Sequence, residues 1–101
     1  MLKIRQYVEH DFVLLLDGDY EDENIKNLAE RLEYEFEVAT LIDKDEKPND
    51  FFDRGSHAIK FRATYHTFER VRKYMYALGY DDEFGYLCLV KHDREDFYCV
   101  M

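Results

Sequence analysis

One order of elements is written twice along this 101-residue chain. An apolar strand, an amphipathic helix and a second strand fill residues 12–43, and the same succession recurs over residues 57–91. The first strand, residues 12–16, is a continuous apolar run suited to a central position. It stops at Asp17-Gly18-Asp19. Over residues 22–36, Ile25, Leu28, Ala29, Leu32 and Phe36 recur at spacings of three and four, so a helix there carries one apolar stripe. Asp22 is placed to cap its start, and Glu23 suits the positive end of its dipole. A short strand over 38–43 leads into a long loop, 44–56, which holds the only proline, Pro48, and a ring pair, Phe51 and Phe52, read as exposed. Strand 57–63 alternates, with His57, Ile59, Phe61 and Ala63 on one face and Ala58, Lys60 and Arg62 on the other. Thr64 or Thr67 caps a second helix that turns Phe68, Val71, Met75 and Leu78 to the sheet and ends at Gly79. Residues 84–91 and 97–101 read as two further strands, turning at Asp93-Arg94 with Lys91 opposite Asp96. Residues 2–8 read as an edge strand returning through Glu9-His10-Asp11.

The resulting β-α-β-β-α-β order predicts an α+β, ferredoxin-like sandwich, an antiparallel sheet with two helices on one face and extra edge strands at both termini. The length sets a single domain over residues 1–101, with one modest core. Nine Tyr, eight Phe and no Trp make that core a matter of large rings, with tyrosine hydroxyls at the water boundary. A fold of this kind hosts enzymes, nucleic-acid binders and inhibitors, so function must be argued from sites.

No apolar run approaches the roughly 20 residues needed to cross a bilayer, and the first residues lack a signal-peptide core, so a cytoplasmic location is expected. Cys88 and Cys99 lie equally far from the Asp93-Arg94 turn and are expected to face each other as reduced thiols.

Charge is the strongest functional signal. The net charge is −9, and residues 1–53 hold 16 acids against 6 bases while residues 54–101 hold 7 against 8. Such acidity repels phosphate backbones and anionic lipid and favours basic protein grooves. Acids that only keep a small protein soluble are the plain alternative, and the confinement of the charge to one half argues against it.

Catalytic equipment is sparse. Asp17, Asp19, Glu21, Asp22 and Glu23 crowd one turn, but Leu28 falls where a calcium loop needs its bidentate acid. Asp17, at a strand end, is the one position where a metal-dependent nuclease of this fold would hold its ion. His10, His57, His66 and His92 show no zinc spacing, no nucleophile elbow surrounds Ser56 or Cys99, and phosphate-cradling glycine loops are absent. No catalytic residue, metal or cofactor is therefore assigned.

Arg54-Gly55-Ser56-His57-Ala58-Ile59-Lys60-Phe61 resembles in part the signature octapeptide of RNA-recognition modules, matching at Arg54, Gly55, Ile59 and Phe61. Ser56 and Ala58 stand where that family stacks bases, so direct RNA binding is not expected. In fold order and acidity the chain is similar to small phage inhibitors of host defence nucleases, including anti-CRISPR proteins. It is similar too to ribonuclease-inhibitor domains of the regulator of ribonuclease activity B family. Residues 80–86, Tyr80-Asp81-Asp82-Glu83-Phe84-Gly85-Tyr86, loosely resemble the latter's Tyr-Asp-Gly-Trp segment without its tryptophan.

The expectation is a non-enzymatic inhibitor, a nucleic-acid mimic that blocks a basic, nucleic-acid-handling partner protein. Phe51 and Phe52 would anchor it, and Glu30, Glu33, Glu37, Asp45, Glu46, Asp50 and Asp53 would form the charged rim. The rival outcomes are a nuclease built on Asp17 and a homodimer through residues 2–8 or 97–101.

Overall fold

In the computed structural model, residues 8–48 and 52–80 are described throughout, and residues 86–91 and 97–99 by their backbone. The elements are β1 (Glu9–Asp17), α1 (Asp22–Phe36), β2 (Thr40–Asp45), β3 (Ser56–Thr64), α2 (Tyr65–Ala77), β4 (Tyr86–Lys91) and β5 (Phe97–Cys99). They make an α+β fold. β3 lies between β1 and β2, pairing antiparallel with both. β4 pairs with the other side of β1, and β5 with β4, giving the order β2-β3-β1-β4-β5.

Register places Phe12, Leu14 and Leu16 of β1 beside Phe61, Ile59 and His57 of β3, so their side chains share a face. Both helices cover that face. From α1 come Ile25, Leu28, Ala29 and Leu32, and from α2 come Phe68, Val71 and Met75, all buried in one cluster with the strand residues. Phe12 and Phe68 stack with centroids 4.0 Å apart and planes 4° from parallel, and Tyr65 meets Phe12 edge-on at 5.5 Å. Each fully buried ring of this kind contributes about 1.5–3 kcal/mol by leaving water. Val13 is buried on the opposite face of β1.

Several boundaries differ from the sequence expectation. Glu9, His10 and Asp11 belong to β1 and pair with Thr64, Ala63 and Arg62, because β3 is long enough to support them. Val8 is exposed outside any strand, and residues 2–7 lie outside the described residues. Glu21, not Asp22, occupies the N-cap of α1, its side chain making no capping bond, and Asp22 is the first helical residue. β2 runs from Thr40 to Asp45 in place of 38–43, since α1 ends on Glu37 in the left-handed conformation and Val38 packs against the core first. Of the two threonines, Thr64 caps α2, accepting from the Thr67 N–H at 3.2 Å. Leu78 is exposed rather than turned to the sheet, because it stands past the helix in the turn closed by Gly79 and Tyr80.

That turn is a Schellman closure. Tyr80 N–H donates to the Met75 carbonyl and Gly79 N–H to the Tyr76 carbonyl, both at 3.0 Å, with Gly79 at φ +95. At the C-terminal hairpin the register sets Cys99 opposite Leu89 and Phe97 opposite Lys91. The expected facing of Cys88 with Cys99, and of Lys91 with Asp96, is therefore off by one residue. Residues 84–85, 92–96 and 100–101 lie outside the described residues.

Candidate acidic interaction surface

α1 and β2 lie side by side and run in opposite directions. Near the C-terminal end of α1, Glu33 Oε2 accepts from both the Thr40 N–H and the Thr40 hydroxyl, each at 3.0 Å. At the other end Lys44 Nζ reaches Asp22 Oδ1 at 3.1 Å. The Thr40 N–H, then the Thr40 hydroxyl, hold the Glu33 carboxyl below its ordinary pKa.

The strip between these ties is acidic. Glu23, Lys26, Glu30, Glu33 and Glu37 follow one another at spacings of three and four, which puts them along one side of α1 with neighbouring Cβ atoms about 5–6 Å apart. All five are exposed. Glu30 and Glu37 form no ion pair among the described residues. Glu37 holds φ 55 and ψ 40, a left-handed conformation that L-residues adopt at a cost.

Asp45, Glu46 and Asp53 gather at the far end of β2. The turn at residues 53–55 abuts them: a Cβ on Gly55 would fall 2.9 Å from Glu46 Cα. All three acids are exposed, and Asp45 Oδ1 accepts from the Lys47 N–H at 2.9 Å. The strip thus joins two groups: Glu30, Glu33 and Glu37 at one end, and Asp45, Glu46 and Asp53 at the other. About 17 Å of strand separates them, from the rise of an extended chain over β2.

Of the ring pair, Phe52 is not exposed as expected. Phe52 is buried, 8% exposed, because a phenylalanine in a surface loop gains by turning its ring out of water. Asp50 and Phe51 lie outside the described residues. Exposed apolar groups are instead Tyr34, 85% exposed on α1, and Leu41, 66% exposed on the face of β2 away from the helices. Tyr34 was open to discovery from sequence, since it falls off the apolar stripe of α1. Leu41 was not, because one short strand does not reveal which of its faces is covered.

The other candidates are held by structural tasks. Asp17 Oδ1 accepts from the Asp19 N–H at 3.0 Å, and Asp19 pairs with Arg54 at 3.1 Å, so the acids of this turn shape it. Among the described residues no three His, Cys, Asp or Glu side chains are disposed to hold a metal ion. His57 is buried, 1% exposed, with Nε2 2.8 Å from the Tyr20 carbonyl; the bond ties the β1–α1 turn to β3. His10 packs against the Tyr65 ring at 4.6 Å. Ser56 is buried and Ala58 half-buried on β3, with no ring offered where an RNA-recognition module stacks bases. Among the described residues no helix is long and apolar enough to cross a membrane.

Comparison with protein-family models, curated proteins and solved structures finds no match to this chain.

Proposed function

We propose that the chain is a ferredoxin-like, non-enzymatic acidic binding protein. In this reading the strip along α1 and β2 docks on a basic, nucleic-acid-handling protein and blocks its groove. The pairing of β1 with both β3 and β4, with both helices on one face, supports the fold assignment. The observation that carries the function is an exposed set of acids, Glu30, Glu37, Glu46 and Asp53, which form no ion pair among the described residues and outnumber the one cation of the α1 row, Lys26. The excess of carboxylates makes the local potential negative and steers a cationic partner, and Tyr34 and Leu41 serve as exposed anchors where Phe52 is buried. Lys44, Lys60 and Arg54 are paired with Asp22, Asp43 and Asp19, while Lys26, Arg31 and Lys47 lie beside the row and offset it in part.

The test is a pull-down from host lysate at about 0.1 M and about 0.5 M salt, because screening shortens the reach of exposed charges. It compares the native chain with a variant carrying Glu30→Lys, Glu37→Lys, Glu46→Lys and Asp53→Lys. The expected result is a basic nucleic-acid-binding protein retained at low salt by the native chain alone, whose nucleic-acid binding the native chain competes away. Equal retention by the reversed variant, or a retained protein whose nucleic-acid binding is untouched, overturns the reading.

A further inference from the structure

Among the described residues, β2 stands at the end of the sheet and is bonded on one side only, to β3. The Thr40 N–H goes to Glu33 Oε2 at 3.0 Å and the Lys44 N–H to Asp43 Oδ1 at 2.9 Å. Successive residues of a strand aim their N–H and C=O groups to opposite sides, so Thr40, Ile42 and Lys44 all direct theirs away from β3. Carboxylates cap the first and last of these N–H groups. Ile42, between them, has no side-chain cap. The row is uncovered, with Leu41 66% and Ile42 42% exposed.

An uncovered row of this kind is a template for another strand. Charge decides which. Asp43, Asp45 and Leu41 lie on the face away from the helices, Thr40, Ile42 and Lys44 on the helix face, with Glu33 alongside. A second copy of β2 would set acids against acids, and like charges across a strand pair are destabilising. A segment alternating Lys or Arg with apolar residues instead meets Asp43 and Asp45 with cations on the face away from the helices and Ile42 with apolar side chains on the helix face.

We propose that the outer edge of β2 is an addition site for an extended basic segment of the partner, with Glu33 and Asp43 as exchangeable caps. This deepens the docking reading above and rests on it. In the free protein the two carboxylates shield the edge. A cation on the face away from the helices draws Asp43 off the Lys44 N–H, while Glu33, on the helix face, yields the Thr40 N–H and keeps the Thr40 hydroxyl; each freed N–H then donates to a carbonyl of the incoming strand. Each cap bond lost is replaced by one ladder bond, and the Ile42 N–H gains a partner it lacked. Selectivity for a basic strand follows, because an uncharged one has no cation to offer Asp43 and Asp45.

The experiment titrates the full chain with an eight-residue peptide of alternating Lys and Val, and with its twin N-methylated along one edge, following backbone amide exchange by NMR. The expected result is saturable binding that slows exchange at Thr40, Ile42 and Lys44 by about tenfold or more, with the twin binding about tenfold weaker or worse. Ile42→Pro removes only an outward N–H, which an edge strand tolerates, and should weaken binding similarly while thermal unfolding still shows a folded chain. Protection elsewhere or nowhere, a twin that binds as well as its parent, or a folded Ile42→Pro chain with undiminished binding each overturns strand addition. Absent protection alongside charge-dependent partner capture overturns strand addition alone. Capture that ignores charge reversal overturns the docking reading itself.

Discussion

Gly55 closes the junction between the acidic end of β2 and the start of β3, and its replacement by alanine separates two costs. Gly55 holds φ +81, and a Cβ there would press on the Asp45 carbonyl oxygen and lie 2.9 Å from Glu46 Cα. Gly79 holds φ +95 with nothing within 4 Å of its would-be Cβ. Gly79→Ala therefore measures the left-handed conformation alone, about 1 kcal/mol once the alanine's lower unfolded-state entropy is set against it. Gly55→Ala adds the displacement of Asp45. Alternation makes Asp45 and Ser56 a hydrogen-bonded pair, which exchanges two N–H···O bonds. Losing both, at about 1 kcal/mol each, brings the total to about 3 kcal/mol. For a domain of this size that lowers Tm by about 12–24 °C, against about 4–8 °C for Gly79→Ala. Calorimetry and urea titration of both variants decide the matter. Equal losses at the two positions would refute the packing of the residue 53–55 turn against β2, and with it the placement of Asp53 beside Asp45 and Glu46.

Three further outcomes are expected. Phe68→Ala should cost about 3–5 kcal/mol in urea unfolding by deleting the ring stacked on Phe12, and a loss under about 1 kcal/mol would deny that stack. Because the folded chain holds Glu33 below its ordinary pKa of 4.5, this carboxylate contributes stability that is present above that value and lost as pH falls through the lowered one. The native chain's advantage over Glu33→Gln should accordingly shrink on acidification below about pH 4.5, and an advantage that grows there would contradict the Thr40 bonds. Glu37→Gly should raise stability by about 0.5–1 kcal/mol by relieving the left-handed glutamate, while thermal denaturation showing a loss would speak against that conformation.

Periodic elements were legible in the sequence, and their pairings were not. α1 spans the residues its apolar stripe marks, and β3 buries His57, Ile59, Phe61 and Ala63 as its alternation predicts, since one covered face imposes a period on each. Glu9, His10 and Asp11 carry no such period. They are strand because β3 lies beside them, with Arg62 reaching Asp11 at 3.6 Å, a partnership invisible from either segment alone. The shift of β2 has the same origin, because an exposed edge strand lacks an apolar pattern and takes its limits from its neighbour. Phe52 was misjudged because an irregular segment offers no period from which to assign a side. For the candidate surface, the segregation of charge was open to view. The gathering of Glu33 with Thr40, and of Asp53 with Asp45 and Glu46, needed the sheet order.

The carboxylate caps on β2 also bear on how the protein keeps its own copies apart in concentrated solution. Fibril growth proceeds by one chain's edge templating the next, and here carboxylates already occupy two of the outward N–H groups that a like chain would use. Leu41 and Ile42 stand exposed on that same strand, so the side chains that hold its backbone in the free protein also guard the part of the sheet that self-association would use first.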